Sequence, residues 1–548
     1  MTKKLLYIAL LTLSLTVHAQ PEPTPTLIIV ITLDQFRYDY LPRFKDHFGK
    51  GGFMYLLEKG ANFSNATYKH AMNTTGPGHA VILSGAYGNQ NGIFANHWYD
   101  VEGKRTVYCV ADTTVSVVGA PGAGVSPANF DGSTFGDELK LHYNFHSKVI
   151  SISIKDRAAI LLGGKLADIS MWMIDSAFVT SSYYAAALPA WVKSFNSSGI
   201  INSYFGKVWL KTLPEAAYST VEPDDSQYES DENGLGRVFP HRITGNDPTR
   251  ITRSFYYALQ TSPFGSEILA AFTKRAILAE QLGKRKTPDL LCVSFSSNDY
   301  VGHSYGPFSQ EVMDMTVRTD QMLADLLTFV DRKIGLNNCV IVLTGDHGVA
   351  PTPEYLRMHV HGTVARRVQH DFLRTHSEEA LVRTFGAPGA QRSWVAGIWS
   401  RNVYLNRDII REKNLSVDLV AAALSDSLLK LPDIATAFSR HDVLTLVPRS
   451  TTELRIKQSF HRLRSGDVVY ALKPYFYEDG DSSGAEHGSP YEYDAHVPLL
   501  IAGKGVRSGT YATEASPADI APTLSALLGV EYPAGRQGRV LVEALKLK

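Results

Sequence analysis

Short runs of apolar and β-branched residues recur along the chain, and each ends at a polar cluster. Four of them are continuous rather than alternating, which is the pattern of strands buried on both faces of a parallel sheet. They are TLIIVITLD ending at Asp34, KVISISIKDR reaching Lys155 and Arg157, LLCVSFSSND ending at Asp299, and CVIVLTGDHG ending at Asp346 and His347. Because ligands gather outside the carboxyl ends of parallel strands, these polar residues are predicted to share one site.

The segments between these runs have helical spacing. Val312, Met315, Met322, Leu326 and Phe329 follow one another at three- and four-residue steps or their multiples, and the chain between residues 268 and 276 does likewise. Strands that alternate with helices predict an α/β fold, in which helices flank both faces of a mostly parallel central sheet.

Two stretches break this alternation. Residues from about 181 to 265 are rich in Tyr, Ser, Pro and acidic residues and predict an inserted cap or long loops. Residues from about 349 to 472 predict a second, irregular insertion. We therefore expect one catalytic domain, residues 20–548, that carries both insertions.

The first residues have the features of a secretory signal peptide, residues 1–19. Lys3 and Lys4 precede an apolar stretch that ends at Val17, and Ala19 precedes the predicted cut. A membrane anchor is the less favoured alternative, because a spanning helix needs about twenty apolar residues. The mature chain is predicted to be periplasmic or secreted, with no membrane contact after cleavage.

Composition and charge narrow the function classes. The chain has 548 residues and 44% hydrophobic content, enough to bury a sizeable core. Lys plus Arg is 54 and Asp plus Glu is 54, and no basic stripe predicts a nucleic-acid partner. Three cysteines do not make a disulfide framework, and Cys292 and Cys339 lie in apolar runs typical of a core.

Carboxylates and imidazoles recur in pairs. An isolated Asp-x-x-x-His pair is more often a surface hydrogen bond than a metal site, but here two Asp–His pairs follow strands. A further carboxylate follows the first strand, and a further histidine lies in HGSPYEYDAHVPLL. The set offers six N/O ligands, enough for two zinc ions with three protein ligands each and open positions for substrate. Its members are Asp34, Asp299, His303, Asp346, His347 and His487.

The segment NTTGPGHA, residues 73–80, presents Thr75 ahead of an apolar run that predicts the start of a helix. Alone, Thr75 would be interpreted as an ordinary N-cap. Beside six metal ligands it is interpreted as a nucleophile, because coordination to a divalent metal is one of the few ways to activate a threonine hydroxyl. Free backbone N–H groups at the helix start would face an anion bound there.

The order of these residues resembles the alkaline phosphatase superfamily, and within it the secreted, zinc-dependent alkaline phosphatases of the PafA type, which use a threonine nucleophile. The resemblance spans almost the whole mature chain and includes ADIAPTLSALLGV near its end. The motifs that carry it are Asp34, Thr75, Asn96, Lys155-Asp-Arg157, Asp299-x3-His303, Asp346-His347 and His487.

The resemblance implies a role for each residue. One zinc ion, which activates Thr75, would be held by Asp34, Asp346 and His347. The second, which faces the leaving group, would be held by Asp299, His303 and His487. Asn96, Lys155 and Arg157 would contact the phosphoryl oxygens. Lys155 would replace the third, magnesium site of other members, so two zinc ions and no magnesium are expected.

The implied reaction is hydrolysis of small-molecule phosphate monoesters through a phosphothreonine, with inorganic phosphate as product. Lys155 and Arg157 favour a monoester dianion, because a diester has a carbon substituent on one of the oxygens that they would contact. A phosphodiesterase of the same superfamily is the alternative, since it would share the ligands and the threonine. A sulfatase is less favoured, because Cys109-Val-Ala-Asp-Thr does not fit the C/S-x-P-x-R pattern. A non-catalytic zinc-binding module is also less favoured, because the nucleophile and both sets of metal ligands are present. The oligomeric state is open, and a monomer is compatible with the sequence.

Three polar residues near the motifs match no position of this resemblance. His79 and His496 are expected to be structural, and Asp156 is expected to pair locally or to point away from the site.

Overall fold

The computed structural model describes residues 24–478 and 483–546. The predicted signal peptide, residues 1–19, lies outside them. Within the described ranges, every helix is too short or too polar to cross a bilayer.

The strands, in chain order, are β1 (Leu27–Leu33), β2 (Ala61–Phe63), β3 (His97–Asp100), β4 (Arg105–Tyr108), β5 (Val117–Val118), β6 (Val149–Ser153), β7 (Ile169–Ile174), β8 (Ala177–Ser181), β9 (Val208–Trp209), β10 (His241–Arg242), β11 (Asp289–Phe295), β12 (Cys339–Gly345), β13 (Arg366–Val368), β14 (Val395–Trp399), β15 (Asn402–Leu405), β16 (Ile434–Ser439), β17 (Val468–Leu472), β18 (Phe476–Glu478), β19 (Leu499–Gly503) and β20 (Gly509–Tyr511).

The α-helices are α1 (Tyr40–Phe44), α2 (Phe53–Lys59), α3 (Thr75–Ser84), α4 (Gly88–Asn91), α5 (Phe135–His142), α6 (Asp156–Gly163), α7 (Ala190–Ser197), α8 (Arg253–Gln260), α9 (Pro263–Ala279), α10 (Ser297–Tyr305), α11 (Gln310–Lys333), α12 (Pro353–His359), α13 (His370–Phe385), α14 (Arg407–Glu412), α15 (Val417–Leu428), α16 (Arg440–Thr445), α17 (Thr451–Ser459), α18 (Glu492–Ala495) and α19 (Ile520–Leu528).

A ten-stranded sheet forms the centre of the described chain, in the order β20-β2-β19-β12-β1-β11-β6-β7-β8-β5. Its middle strands β12, β1, β11, β6 and β7 are parallel to one another, whereas β19 and β8 run antiparallel to their neighbours. The four apolar runs of the sequence are β1, β6, β11 and β12. The predicted α/β fold with a mostly parallel central sheet is confirmed.

The sheet is buried on both faces because its central strand is apolar on both. Leu27 and every second residue after it in β1 enter one core, whereas Ile28 and Val30 enter the other. Helices α9 and α11 pack into the first core, and α5 and α19 pack into the second. The two stretches of helical spacing in the sequence lie within α9 and α11, so those helix predictions are confirmed.

The two predicted insertions differ in structure. Between residues 181 and 265 the chain forms α7, α8, several short 3-10 helices and the two-residue pairing of β9 with β10. Between residues 349 and 472 it is not irregular, so that prediction is wrong: β14, β15, β17 and β16 form a four-stranded sheet against α13 and α15, with a core of its own. These strands have four to six residues. β14 and β16 mix buried with exposed positions, whereas β15 and β17 are short buried runs, so the set lacks the seven-residue apolar runs of β1, β11 and β12.

The three cysteines, Cys109, Cys292 and Cys339, are buried free thiols. This agrees with the absence of a disulfide framework expected from their number and surroundings.

Candidate active site

The register of the parallel strands brings the carboxylates together. Leu33 of β1 pairs with Phe295 of β11 and with Gly345 of β12, so Asp34 and Asp346 leave the sheet side by side. Asp299 lies one turn further along, in the first turn of α10. All three carboxylates are buried.

Helix α3 begins at Thr75, as the sequence predicted, and places its side chain at the same edge of the sheet. The N-cap is Thr74, which has an extended backbone, so Thr75 does not have that role. Its Oγ1 accepts from Arg157 Nη2 at 3.2 Å and lies 3.4 Å from Lys155 Nζ. The Thr75 hydroxyl is therefore the acceptor of two cations rather than a helix cap.

The first turn of α3 approaches its neighbours so closely that side chains would not fit. A Cβ on Gly78 would lie 2.2 Å from the carbonyl oxygen of Asp346, and one on Gly76 would lie 2.8 Å from Asn96 Oδ1. The Gly76 amide donates to Asn96 Oδ1 at 2.7 Å. Because that bond fixes which atom of the amide is the oxygen, Asn96 keeps its NH₂ group as a donor beside Thr75.

Among the described residues, two groups of three side chains hold potential ligand atoms within 4.8 Å of one another: Asp299, His303 and His487, and Asp34, Asp299 and His347. The first matches one predicted ligand set. The second contains Asp299 where the resemblance implies Asp346. Asp346 Oδ2 lies 3.5 Å from His347 Nε2, but it also faces His79 Nδ1 at 3.1 Å.

Each of the three imidazoles is oriented by a backbone carbonyl. The Nδ1 atoms of His303, His347 and His487 lie 2.7, 2.9 and 2.8 Å from the carbonyl oxygens of residues 485, 348 and 73. Since a carbonyl only accepts, each Nδ1 carries a proton, and the lone pair of the neutral ring lies on Nε2. All three Nε2 atoms face the carboxylates, which is how proteins orient histidines that bind a metal.

Several buried atoms of this cluster have no hydrogen-bond partner in the described chain: both Asp34 oxygens, Asp346 Oδ2 and His347 Nε2. Asp34 Oδ2 does form an ion pair with Lys155 Nζ at 2.7 Å, but outside hydrogen-bond geometry. Leaving such groups unsatisfied costs about 1–3 kcal/mol each, more when they are charged. Their chemistry and convergence fit a divalent metal centre.

Lys155 lies between the two carboxylates that follow β1 and β11. Its Nζ is 2.7 Å from Asp34 Oδ2 and 2.5 Å from Asp299 Oδ2. Burial opposes a charged lysine, but Asp299 and Asp34 outweigh it and raise the Lys155 pKa. Burial likewise opposes the charge of both carboxylates, and Lys155 outweighs it, so the pKa values of Asp34 and Asp299 fall below the usual range.

The charges around the imidazoles differ. Burial disfavours protonation of His303 and His347, but Asp299 beside the first and Asp346 beside the second raise their pKa values to about 10 and about 9. Burial, together with these two rings, lowers the pKa of His487. The ring of His487 stacks on that of His347, with centroids 3.8 Å apart.

Arg157 is held beside Thr75 by a short chain of contacts. Its Nη1 lies 3.5 Å from the Tyr108 hydroxyl, which donates to Asp156 Oδ1 at 2.5 Å. Asp156 thus pairs locally, as expected. The Arg157 Nε is buried without a partner among the described residues.

Gln35 and His79 support the carboxylates and were not predicted to do so. Gln35 donates from its backbone N to Asp346 Oδ1 and from Nε2 to Asp299 Oδ1, both at 3.0 Å, with a backbone φ of 55°. His79 Nδ1 contacts both the Thr75 carbonyl oxygen, at 2.8 Å, and Asp346 Oδ2. Adjacency to Asp34 was the only sequence signal for Gln35.

His496 lies apart from this cluster. Its ring stacks on that of Tyr38, with centroids 4.5 Å apart, and its Nε2 contacts the Ser64 carbonyl oxygen at 3.0 Å.

Comparisons with known proteins match most of the chain. Residues 28–491 match the family model described as type I phosphodiesterase / nucleotide pyrophosphatase. The chain is 34% identical to alkaline phosphatase PhoV of Synechococcus elongatus, over 94% of this chain and 92% of the relative. It is 31% identical to alkaline phosphatase PafA of Elizabethkingia meningoseptica, over 94% and 93%. A crystal structure of alkaline phosphatase PafA superposes with a TM-score of 0.90 at 30% identity, over 96% of this chain and 100% of that one.

Proposed function

The chain belongs to the type I phosphodiesterase / nucleotide pyrophosphatase family and is a PafA-type alkaline phosphatase, and we propose that it hydrolyses phosphate monoesters through a phosphothreonine at Thr75. One observation carries the proposal: two cations, the buried Lys155 and the half-buried Arg157, lie within 3.4 Å of the hydroxyl of Thr75.

Two zinc ions are proposed as cofactors, and magnesium is not expected. Asp34, Asp346 and His347 would hold one ion, and Asp299, His303 and His487 the other, with Asp299 Oδ1 near enough to serve both groups. When bound, the ions would lower the pKa of the threonine hydroxyl and of water and would balance phosphoryl charge. The Lys155 ammonium, already between Asp34 and Asp299, supplies a fixed positive charge that supports the absence of a third divalent ion.

The residues of the chain bind and orient the phosphoryl group. The guanidinium of Arg157 and the ammonium of Lys155 neutralise a dianion beside Thr75, and the free NH₂ group of Asn96 donates to a third oxygen. Thr75 Oγ1 then loses its proton to water and bonds to phosphorus as the bond to the leaving oxygen breaks, and that oxygen takes up a proton from water. Water next attacks the phosphothreonine, which releases inorganic phosphate and restores the hydroxyl.

The phosphodiesterase alternative shares every metal ligand and the threonine. Two cations at one phosphoryl group favour the dianion of a monoester, because a diester has one negative charge fewer and a carbon substituent on one oxygen. The physiological substrates are accordingly proposed to be small-molecule phosphate monoesters.

We propose export to the periplasm or the medium, on the strength of the signal-peptide pattern in residues 1–19. The amino-terminal sequence of the mature protein tests this, with Gln20 as the expected first residue.

The proposed reaction is tested by measuring kcat/KM of the zinc-loaded enzyme for 4-nitrophenyl phosphate and for its methyl diester. The two esters share a leaving group, so their ratio reports on the non-bridging oxygens. A monoester preference of several orders of magnitude is expected. A preference for the diester would contradict the substrate assignment while leaving Thr75 and the metals in place.

A further inference from the structure

A cavity of about 330 Å³ opens beside His487, one of the candidate metal ligands. Its aromatic and charged lining residues come from four parts of the chain: Arg374, Trp399, Arg401, Glu478 and His487. His487 lines this cavity and is also a proposed ligand of the metal ion that faces the leaving group. A substrate bound at Thr75 can therefore extend its leaving group into the cavity.

Trp399 forms one wall. It is the last residue of β14 and is 39% exposed, so part of its indole ring is open to a ligand. The following turn is held in place, because the Ser400 hydroxyl donates to the His97 carbonyl oxygen at 3.0 Å. The turn that carries Trp399 is therefore anchored to β3.

An aromatic row connects this wall to the phosphate-binding residues. The rings of Trp399 and His97 have centroids 6.1 Å apart, and those of His97 and Tyr108 are 5.0 Å apart. The Tyr108 hydroxyl in turn contacts Arg157. The row begins at Arg157 and ends in the cavity.

Two arginines line the same cavity but differ in what they bind. The Arg401 guanidinium already contacts other residues of the protein. Its Nη1 donates to the Gly488 carbonyl oxygen, and its Nε lies 3.9 Å from Glu478. Arg374, on α13, makes one long hydrogen bond to the Val395 carbonyl oxygen, at 3.4 Å. Within the described ranges no carboxylate forms an ion pair with Arg374, so its charge is available to a ligand.

We propose that this cavity is the leaving-group subsite of the enzyme. The aromatic ring of a monoester leaving group stacks on Trp399, and an anionic substituent on that ring pairs with Arg374. The preferred substrates are thus phosphate monoesters of alcohols that contain an aromatic ring with a second negative charge. This inference rests on the monoesterase function proposed above.

The test uses three primary-alkyl monoesters whose alcohols have similar pKa values, so that the reactivity of the leaving group is matched. They are ethyl phosphate, 2-phenylethyl phosphate and 2-(4-carboxyphenyl)ethyl phosphate. For the zinc-loaded wild type, kcat/KM is expected to rise in that order. The increase from ethyl to 2-phenylethyl phosphate, here called the ring step, should be about five- to tenfold, the size of one aromatic contact.

Trp399→Ala is expected to remove the ring step and to leave ethyl phosphate within twofold of wild type, whereas Trp399→Phe keeps most of that step. Arg374→Gln is expected to lower only the carboxylated ester, by about two- to fivefold, since partly exposed charge pairs are weak. Arg383→Gln, an exposed arginine on the same helix paired with Glu379, is the matched control and should change none of the three.

Equal kcat/KM for ethyl and 2-phenylethyl phosphate in the wild type would overturn the subsite, and so would an equal loss for both esters in Trp399→Ala. The monoesterase function would stand in either case, because it is reported by ethyl phosphate alone. Failure of the wild type to hydrolyse any of the three would overturn both proposals.

Discussion

Two clusters of buried ionisable side chains lie close together in this molecule and differ in what surrounds them. The first is the ligand cluster at the carboxyl ends of β1, β11 and β12. The second, the acidic cluster, consists of Glu222, Glu229, His241 and Glu311. The two are neighbours, since the Ser230 amide donates at 2.8 Å to the carbonyl oxygen of Ser304, which follows His303.

In the ligand cluster the charges are balanced and the donor atoms converge. Lys155 lies between two carboxylates, and three imidazoles present Nε2 to the same space. In the acidic cluster, His241 Nε2 lies 3.0 Å from Glu311 Oε1, but both oxygens of the buried Glu229 lack a hydrogen-bond partner among the described residues. Burial, followed by the nearby Glu311 and Glu222, raises the Glu229 pKa.

The difference shows what distinguishes buried carboxylates that can act in catalysis from a buried carboxylate that affects only stability. Asp34 and Asp299, which face the Lys155 ammonium, keep their charge and can bind a metal, whereas burial and Asp34 raise the pKa of the neighbouring Asp346. A buried carboxylate that faces other carboxylates gives up its charge instead. Changes in the first cluster should therefore affect catalysis, and changes in the second should affect the pH dependence of stability.

Removal of the metal is expected to have the largest effect. Chelation should reduce phosphatase activity to the detection limit, and added zinc should restore it, because ligand deprotonation and metal binding are coupled. Asp299→Ala should abolish activity even in excess zinc, since Asp299 Oδ1 belongs to both ligand groups. Glu229→Gln, in the acidic cluster, is the control and should keep full activity; activity that survives exhaustive chelation would contradict the metal assignment.

Thr75→Ala is expected to lower kcat by about 10⁴-fold or more, the scale seen when a catalytic nucleophile is removed, with zinc content unchanged. Thr75→Ser should retain partial activity because the hydroxyl remains. Acid-quench trapping of labelled phosphoprotein checks the mechanism, with label expected in wild type and Thr75→Ser but not in Thr75→Ala. Full activity of the alanine variant would rule out a covalent phosphothreonine.

The double variant Lys155→Ala/Arg157→Ala is expected to lose several hundredfold in kcat/KM for 4-nitrophenyl phosphate and less than about threefold for its methyl diester. The reason is that both cations neutralise the second charge of the dianion. Zinc content, measured alongside, separates this effect from loss of metal. Equal losses for both esters would mean that the two cations do not select monoesters.

Glu229→Gln is expected to have the smallest effect, confined to stability. Glu229 is protonated in the folded chain and ionised in the unfolded chain above its ordinary pKa of 4.5, so the unfolded state binds fewer protons. The free energy of unfolding therefore falls as pH rises from about 4.5 towards the folded-state pKa, with a slope of up to about 1.4 kcal/mol per pH unit for one proton.

Glutamine does not ionise and removes this contribution to the free energy of unfolding. The free energy of urea unfolding of the zinc-loaded enzyme should therefore fall less steeply between pH 6 and 9 in Glu229→Gln than in the wild type. Identical slopes for variant and wild type would show that Glu229 is ionised in the folded chain.

Much of the fold was predictable because the central strands have a simple pattern. The runs that became β1, β6, β11 and β12 are apolar on both faces, and such runs are stable only between two layers of helices. The insertion at residues 349–472 was not predictable in the same way. Its strands are short, and tertiary packing against α13 and α15 decides their conformation.

The sequence by itself determined which side chains occur at the ends of the central strands, because residue order and apolar periodicity fix where each strand stops. Only the tertiary structure decided the distances among them. The register of β1 with β11 and β12 places Asp34 beside Asp346, and long-range packing brings His487 and Lys155 to Asp299. The contacts of Gln35 and the cavity at Trp399 likewise depend on segments hundreds of residues apart, whose meeting leaves no periodic signal in the chain.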